Sequence, residues 1–377
     1  MITSGITSYT SSESSLETTS SKLNLAQRLA RPELLALQVY QSARRIGGQG
    51  DIWINANESP FNNSELVGLN RYPECQPPAL LRAYSQYSGV NENSIITSRG
   101  ADEAIELLIR AFCVPGQDSI ATFGPTYGMY AISAQTFNVG VKALSLTDDF
   151  QLPTDYLTQV SGAKLVFICN PNNPTGSVIP RSKIIEVIER CQNAIVVVDE
   201  AYIEFSPEYS VADLVASYAN LVVLRTLSKA FSLAGARCGF MLANPDIIDI
   251  CMRVIAPYPV PLPVSELAIK ALNTSGLETM RQQVNVMKQQ GLRLAETLCD
   301  YGANVIKAHG NYLLAEFDDK AQVQQMLTTA GVIARSYNDP RLNKAIRFSF
   351  TDQAQTDYLI NLFQQPFQQS VSTTEYK

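Results

Sequence analysis

The stretch LVFICNPNNPTG, at residues 165–176, joins a run of five apolar residues to a turn of Asn, Pro and Gly. A short apolar run bounded by turn residues predicts a strand that is buried on both faces of a sheet. Proline and glycine then fix a rigid connection to the next element. Four other runs share this pattern and predict further buried strands: 119–123, 195–198, 221–224 and 238–242.

Stretches with helical spacing alternate with these runs, at residues 77–89, 102–113 and 181–191. Alternation of helices and buried strands predicts an α/β domain with a mostly parallel sheet, in which ligands bind at the carboxyl ends of the strands. Prolines at alternate positions from Pro257 to Pro263 cannot continue a helix or a central strand, and they indicate the end of this domain. We therefore expect the large domain to span residues 51–265.

The remaining segment, 266–377, predicts a smaller α+β domain. Its helical patterns and strand-like runs are at 277–301, 312–317, 322–329, 332–336 and 345–350, with a last helix from Thr351. Two domains fit a length of 377 residues, because a single hydrophobic core usually stops growing at a smaller size. Residues 1–22 are rich in Ser and Thr and lack an apolar segment, which predicts a disordered tail.

The composition indicates a small-molecule ligand. A formal net charge of −6 at pH 7 argues against nucleic acid or an anionic membrane as the main partner. No apolar run approaches the roughly 20 residues that a membrane-spanning helix needs. The seven cysteines are scattered and never occur in CxxC spacing, so we expect reduced thiols and a cytoplasmic protein.

Two predicted strand ends carry residues that are suited to catalysis. Asp199 directly follows the run 195–198, which places its carboxylate at the carboxyl end of a buried strand. Lys229 ends the segment RTLSK, in which hydroxyls and a second cation suit an anion and favour a lowered lysine pKa. Taken alone, a strand-end Asp is more often a cap, and a Lys is more often a solvated surface charge.

Three motifs, in this order and spacing, resemble the fold-type I aminotransferases, which use pyridoxal 5′-phosphate. They are NPTG at 173–176, DEAY at 199–202, and SK at 228–229 with Arg237 eight residues beyond the lysine. The resemblance implies a large domain with a mostly parallel seven-stranded sheet and a smaller α+β domain. It also implies that Lys229 holds the cofactor as a Schiff base and that Asp199 pairs with the pyridine nitrogen.

The same resemblance implies further contacts with the cofactor. These are Asn173 and Tyr202 at the ring oxygen O3′, Tyr127 stacked on the ring, and Thr226, Ser228, Arg237, Gly100, Ala101, Asp102 and Glu103 at the phosphate. The last four residues begin a predicted helix, whose free N–H groups favour an anion. Without the resemblance, they indicate only an Asp-capped helix, and Tyr127 only an exposed loop residue.

Additional segments narrow the resemblance to the histidinol-phosphate aminotransferases. They are YQSAR at 40–44, NANE at 55–58, RYP at 71–73, RGADE at 99–103 and DEAYIEF at 199–205. This resemblance covers the chain from about residue 23 to the end. It implies a homodimer in which residues 23–50 form an N-terminal arm and Tyr72 reaches the cofactor phosphate of the other subunit.

The resemblance also implies a substrate site. Tyr40, Arg335 and Arg347 would bind the substrate phosphate, with Asn173 as a further substrate contact. Arginine suits this task because its planar guanidinium pairs with two phosphate oxygens at once. Without the motifs, both arginines would be interpreted as partners in surface salt bridges.

The implied reaction is reversible transfer of an amino group between L-glutamate or 2-oxoglutarate and imidazole acetol phosphate or L-histidinol phosphate, in histidine biosynthesis. An aromatic or broad-specificity amino-acid aminotransferase of the same fold is the alternative. A non-catalytic regulator on the same scaffold is a third reading, against which the retained candidate residues argue. A nicotinamide dehydrogenase is excluded, because Trp53 occupies the third glycine position of the GxGxxG pattern that would begin at Gly48.

Overall fold

Two sheets form the framework of the chain, and the computed structural model describes residues 23–47 and 50–365. The predicted tail at 1–22 lies outside the described residues. Within them, no helix is long and apolar enough to cross a membrane.

The larger sheet has seven strands. They are β1 (Ile95–Ser98), β2 (Ser119–Gly124), β3 (Gly140–Ser145), β4 (Leu165–Cys169), β5 (Ile195–Asp199), β6 (Leu221–Thr226) and β7 (Gly239–Ala243). Their order is β1-β7-β6-β5-β4-β2-β3, and the pairs from β3 to β6 are parallel, which confirms the predicted mostly parallel sheet. Strand β7 is antiparallel to β6 and to β1. Only a short 3₁₀ helix, Ala234–Ala236, lies between β6 and β7, whereas a parallel connection needs a longer crossover.

Helices cover the larger sheet and connect it to the second one. They are α1 (Leu25–Leu29), α2 (Pro32–Leu35), α3 (Ala43–Ile46), α4 (Pro78–Ser88), α5 (Ala101–Phe112), α6 (Met129–Thr136), α7 (Tyr156–Val160), α8 (Arg181–Arg190), α9 (Pro245–Met252), α10 (Leu262–Leu272), α11 (Thr274–Asp300), α12 (Lys320–Thr329) and α13 (Gln353–Gln364). The three helices predicted at 77–89, 102–113 and 181–191 are confirmed as α4, α5 and α8. Local caps start several of them, as when Asn24 and Gln27 form a capping box on α1.

The apolar run of β5 is continuous because the strand is covered on both faces. Val196 and Val198 pack in one hydrophobic cluster with Leu80 of α4, whereas Val197 packs in the other cluster with Leu107 of α5. Successive side chains of a strand point to opposite faces, so a strand between two helical layers needs apolar residues at every position. The polar residue that ends the strand is therefore the first one free to face a ligand.

The smaller sheet is antiparallel and comprises β8 (Asn304–Ile306), β9 (Tyr312–Glu316), β10 (Arg335–Ser336) and β11 (Ala345–Ser349), in the order β10-β11-β9-β8. It has its own hydrophobic cluster with the C-terminal half of α11, while Met280 and Val284 in the first half of α11 pack with the larger sheet. The predicted strand at 332–336 was wrong for 332–334. The N–H of Val332 instead closes the end of α12 by donating to the Leu327 carbonyl. The domain boundaries at 50 and 265 stay a prediction.

Candidate active site

A cavity of about 610 Å³ lies between the carboxyl ends of β4, β5 and β6 and the strands of the smaller sheet. Most of the residues predicted for the site line it: Ala101, Asp102, Tyr127, Asn173, Asp199, Tyr202, Thr226, Ser228, Lys229, Arg237, Arg335 and Arg347. Motifs that are far apart in the chain therefore converge on one place, as expected for parallel strands whose carboxyl ends meet at the same sheet edge.

Lys229 lies in the loop that follows β6, and its side chain is partly buried. Its Nζ is 5.4 Å from the centre of the Tyr202 ring. Burial lowers the pKa of the Lys229 amine, and the positive charge of Arg347 lowers it further. A lower pKa increases the fraction of neutral amine near pH 7. Only the neutral amine can act as a nucleophile or accept a proton.

Asp199 is the buried carboxylate of the site, with 2 % of its surface exposed. Its Oδ2 accepts a hydrogen bond of 2.6 Å from the Tyr130 hydroxyl, and its Oδ1 accepts one of 3.1 Å from the Ala201 N–H. Burial nevertheless raises the pKa of Asp199 to about 6. None of the ion pairs among the described residues includes it. A cation held in the cavity would remove this electrostatic cost.

Asn173 connects the two sheets through its side-chain amide. Its Nδ2 donates to the Tyr202 hydroxyl over 3.3 Å, and its Oδ1 accepts from Nη1 of Arg347 over 2.5 Å. The neighbouring backbone carbonyl of Asn172 accepts a 2.6 Å hydrogen bond from Tyr312 of β9. The loop after β4 therefore fixes the position of Arg347 relative to Tyr202.

Hydroxyls, a guanidinium and a helix start surround one corner of the cavity. The Thr226 hydroxyl donates to the Ser228 hydroxyl over 2.9 Å, and Nη1 of Arg237 reaches the same oxygen at 3.4 Å. Helix α5 begins beside them at Gly100, and no side chain caps its first N–H groups. Gly100 has a φ of +81°, and a Cβ there would lie 2.6 Å from Nη2 of Arg237. These donors form a site that suits a phosphate group.

The remaining residues of the RGADE segment have partners of their own. Asp102 accepts a 3.0 Å hydrogen bond from the Tyr127 hydroxyl and pairs with Nη2 of Arg237 at 2.9 Å. Glu103 is different, because both its carboxylate oxygens bond to Arg99, one to the backbone N–H and one to the side chain. A contact between Glu103 and a ligand in the cavity can therefore come only from its backbone N–H.

The opposite side of the cavity is formed by two arginines of the smaller sheet. Arg335 of β10 and Arg347 of β11 are direct partners in the antiparallel register. Tyr337 follows two residues after Arg335 and lines the same cavity. Side chains two residues apart lie on one face of a strand, and directly opposed residues also share a face. The three side chains thus form one cationic and phenolic surface.

The protein-family model for aminotransferase class I and II matches residues 49–363 of the sequence. The chain belongs to this family. The histidinol-phosphate aminotransferase of Shewanella oneidensis is 68% identical over 349 residues, which are 90% of this chain and 89% of that protein. The corresponding protein of Vibrio cholerae is 48% identical over 91% of this chain and its own full length.

Solved structures support the same fold. A histidinol-phosphate aminotransferase from Clostridium acetobutylicum superposes with a TM-score of 0.72 at 23% identity, over 78% of this chain and 90% of that one. One from Sinorhizobium meliloti, in complex with pyridoxal-5′-phosphate, has a TM-score of 0.71 at 21% identity, over 82% and 89% of the two chains. The expected fold class, with its seven-stranded mostly parallel sheet and smaller α+β part, is confirmed.

Four predicted residues are not among those that line the cavity: Gly100 and Glu103, which are next to the lining residues Ala101 and Asp102, and Tyr40 and Tyr72. Tyr40 is 67% exposed, and Tyr72 is 48% exposed with its ring stacked on Tyr258 at a centroid distance of 4.4 Å. Within a single chain, therefore, neither residue joins the others of the site. Their predicted roles at the substrate and cofactor phosphates stay predictions.

Sequence reasoning missed two tyrosines of the site. Tyr130 binds Asp199 across 69 residues of chain, and its only local signal is its position one helical turn after Tyr127. Tyr337 had a clearer signal, since the i, i+2 spacing from Arg335 on a predicted strand places it on the same face. Thr126, Met129, Ile132 and Cys169 also line the cavity without having been predicted.

Proposed function

We propose that this chain is a pyridoxal-phosphate-dependent histidinol-phosphate aminotransferase. It transfers an amino group reversibly between L-glutamate or 2-oxoglutarate and imidazole acetol phosphate or L-histidinol phosphate. Support comes from family membership, from the names of relatives up to 68% identical, and from the chemistry of the cavity. The alternative, an aromatic or broad-specificity aminotransferase of the same fold, would differ in its preference for a carboxylate over a phosphate on the substrate.

The residues of the cavity fit pyridoxal 5′-phosphate. Thr226, Ser228, Arg237 and the start of α5 provide donors for its phosphate. Asp199 provides a buried carboxylate that has no ion-pair partner among the described residues, and a protonated ring nitrogen would satisfy it. When bound, this cofactor supplies a ring that accepts electrons as the substrate loses its α-proton.

The chain's own residues perform the remaining tasks. Lys229 binds the cofactor and, once its amine is free, removes the α-proton of the substrate as a general base, for which its lowered pKa prepares it. Asp199 keeps its negative charge at the ring nitrogen. The side-chain amide of Asn173 bonds to both Tyr202 and Arg347, so one group positions a residue of the cofactor site and a residue of the substrate site.

The observation that carries the choice of substrate is the pairing of Arg335 with Arg347 across β10 and β11. Two guanidiniums on one face match the charge of a phosphate dianion, and each can form two parallel hydrogen bonds. Hydrogen bonds to charged groups contribute about 1.5–3 kcal/mol each, so the loss of one guanidinium should lower kcat/KM by roughly one to two powers of ten per bond.

The test compares kcat/KM for histidinol phosphate, histidinol, histidine and phenylalanine in the wild type and in Arg335→Ala. We expect a strong preference for histidinol phosphate in the wild type, and we expect the substitution to remove most of it. Arg293→Ala is the matched control, since Arg293 forms an exposed pair with Asp357 elsewhere in the smaller domain. If the wild type uses phenylalanine as well as histidinol phosphate, the broad-specificity alternative replaces this proposal.

The proposal includes a homodimer with composite sites and a cytoplasmic location. Segment 51–72 exposes Ile52, Ile54, Phe61 and Val67, an apolar surface that a second copy would cover. Tyr72 lies at the end of this segment, so a partner could receive it. The location is supported by the seven cysteines, all of which are free thiols.

Complementation tests the composite site. Lys229→Ala and Tyr72→Ala homodimers should each be severely impaired, but unfolding and refolding them together should restore activity, because each mixed dimer contains one intact site. Sedimentation analysis should give a dimer. Sites that are complete within one chain would yield no activity on mixing.

A further inference from the structure

Tyr337 lines the cavity, and its buried hydroxyl lacks a hydrogen bond among the described residues. Its ring packs against Leu314, Leu342 and Ala345, which anchor it to the smaller sheet. Its hydroxyl is shut off from solvent and has no hydrogen-bond partner within the part of the chain that the structure describes. A buried hydroxyl without a partner costs roughly 1–3 kcal/mol, so it requires an explanation.

The charges around Tyr337 indicate what kind of partner is missing. The guanidinium carbon of Arg335 is 5.9 Å from the centre of its ring. Burial raises the pKa of Tyr337, while the positive charges of Arg347 and Arg335 lower it, and the net direction is upward. The phenol therefore stays protonated and can donate. The neighbouring guanidiniums can only donate as well, so the group that completes this surface must be an acceptor.

We propose that Tyr337 is a specificity-determining residue that donates a hydrogen bond to the phosphate of the substrate. The inference rests on the proposed function and extends it. A phosphate monoester has three terminal oxygens, so two arginine forks and one phenol can each find an acceptor. A carboxylate has two oxygens, which the arginines alone can saturate. Tyr337 should thus favour the phosphorylated substrate over glutamate or 2-oxoglutarate.

The experiment uses the cofactor-loaded enzyme and Tyr337→Phe, which removes only the hydroxyl. The two half-reactions are measured separately by single-turnover kinetics. We expect kcat/KM for histidinol phosphate to fall about ten- to hundredfold, as for loss of a hydrogen bond to a charged group, while the value for glutamate changes less than about twofold. Tyr358→Phe is the control, because Tyr358 is exposed and its hydroxyl donates to the Ala330 carbonyl, away from the cavity.

A binding measurement provides a readout that is independent of turnover. Inorganic phosphate should bind the cofactor-loaded enzyme, in which the cofactor already fills its own phosphate site, and Tyr337→Phe should raise the dissociation constant about tenfold or more. Thermal stability of the variant should be equal or higher, because the substitution removes an unsatisfied buried group.

Three outcomes would overturn the role of Tyr337. The first is an equal loss of kcat/KM for both amino donors, which would indicate a role in packing or positioning. The second is an unchanged kcat/KM for both donors, and the third is an unchanged dissociation constant for phosphate. A wild type that shows no preference for histidinol phosphate would instead refute the proposed function. The phosphate-binding measurement would still decide whether Tyr337 contacts an anion, so the two failures remain distinguishable.

Discussion

Asp199 and Glu200 are consecutive buried carboxylates with opposite surroundings. Glu200 points into the protein, where its oxygens accept from the Val211 N–H at 2.6 Å and pair with the Arg225 guanidinium at 2.7 Å. Asp199 lines the cavity, and its donors within residues 23–47 and 50–365 are neutral, the Tyr130 hydroxyl and the Ala201 N–H. The first carboxylate has its counter-ion within the fold, whereas burial raises the pKa of the second to about 6 and no ion pair among the described residues offsets this effect.

This difference distinguishes buried charges that stabilise the fold from buried charges that are available to a ligand. The interior network also includes Glu204, which lies 3.7 Å from Arg225 and accepts a hydrogen bond from Tyr87. Arg225 precedes Thr226 on β6, and Glu200 directly follows Asp199, the last residue of β5, so their ion pair fixes the two strand ends side by side. The interior region thereby positions the cavity region, in which the uncompensated charges are kept for the ligand.

The largest expected effect comes from Lys229 in the cavity region. Lys229→Ala should lower turnover at least about 10⁴-fold, as for the loss of a group that forms covalent bonds in catalysis. Borohydride should no longer fix the cofactor to the chain. Folding should be unaffected, since the side chain has no ion pair among the described residues. Lys183→Ala, which disrupts a surface pair with Glu186, is the control. Near-normal transamination by Lys229→Ala would contradict the assignment.

The interior region should instead respond in stability. Arg225→Met leaves the carboxylates of Glu200 and Glu204 buried without a cation, so we expect the free energy of unfolding to fall by about 3–5 kcal/mol. Urea unfolding measures this change. Breaking the exposed Arg293–Asp357 pair by Arg293→Met should cost less than about 1 kcal/mol.

A second substitution sharpens the test of the interior network. Adding Glu200→Gln to Arg225→Met should recover part of the loss, because one buried charge then disappears with its partner. The comparison between the two carboxylates would fail if Arg225→Met cost no more than the Arg293 variant.

Asp199→Asn should stabilise the cofactor-free protein, whereas Arg225→Met should destabilise the fold. The folded protein holds the Asp199 proton up to about pH 6, whereas the ordinary pKa is 3.8, so stability falls as pH rises through this range. The amide removes that dependence. We expect Asp199→Asn to be more stable than the wild type above pH 6, by up to about 3 kcal/mol, and equal to it below about pH 4. The measurement is urea unfolding from pH 4 to 8.

Cofactor binding should reverse the order of the two proteins, since the wild-type carboxylate gains a cation that the amide cannot hold. Catalysis should be strongly impaired in Asp199→Asn for the same reason. A variant that is less stable than the wild type at every pH, without the cofactor, would show that Asp199 is structural like Glu200.

Much of the larger sheet, and several residues of the site at its edge, could be predicted from the sequence. Strands β4, β5 and β6 were predicted to within two residues, because burial on both faces leaves an unmistakable apolar run. Strand β3, at the edge of the sheet and largely accessible, has no such run and was not predicted. The motifs located Asp199 and Lys229 because the first ends β5 and the second lies three residues after β6, whereas Arg237 was located by its spacing from the lysine.

Contacts between distant segments could not be predicted in the same way. Nothing near Tyr130 in the sequence indicates that it meets Asp199, and nothing near Asp199 indicates that Glu200 meets Arg225. These contacts depend on how the sheet orders its strands. Tyr72 raises a further difficulty, since its predicted role involves a second copy of the chain.

Tyr130→Phe should give the smallest effect, and it tests a feature that the two buried carboxylates share, a short hydrogen bond. The Tyr130 hydroxyl lowers the pKa of Asp199 against the effect of burial, so its removal should raise that pKa further. A larger fraction of Asp199 is then protonated near neutral pH, and a protonated carboxyl cannot pair with a cationic ring nitrogen. The dissociation constant for pyridoxal phosphate should therefore rise about tenfold, as for one hydrogen bond to a charged group. Because ionised Asp199 dominates in both proteins at high pH, the ratio of the two constants should be largest below about pH 6 and decline towards pH 8. A ratio that is constant with pH would mean that Tyr130 acts by packing and leaves the charge of Asp199 unchanged.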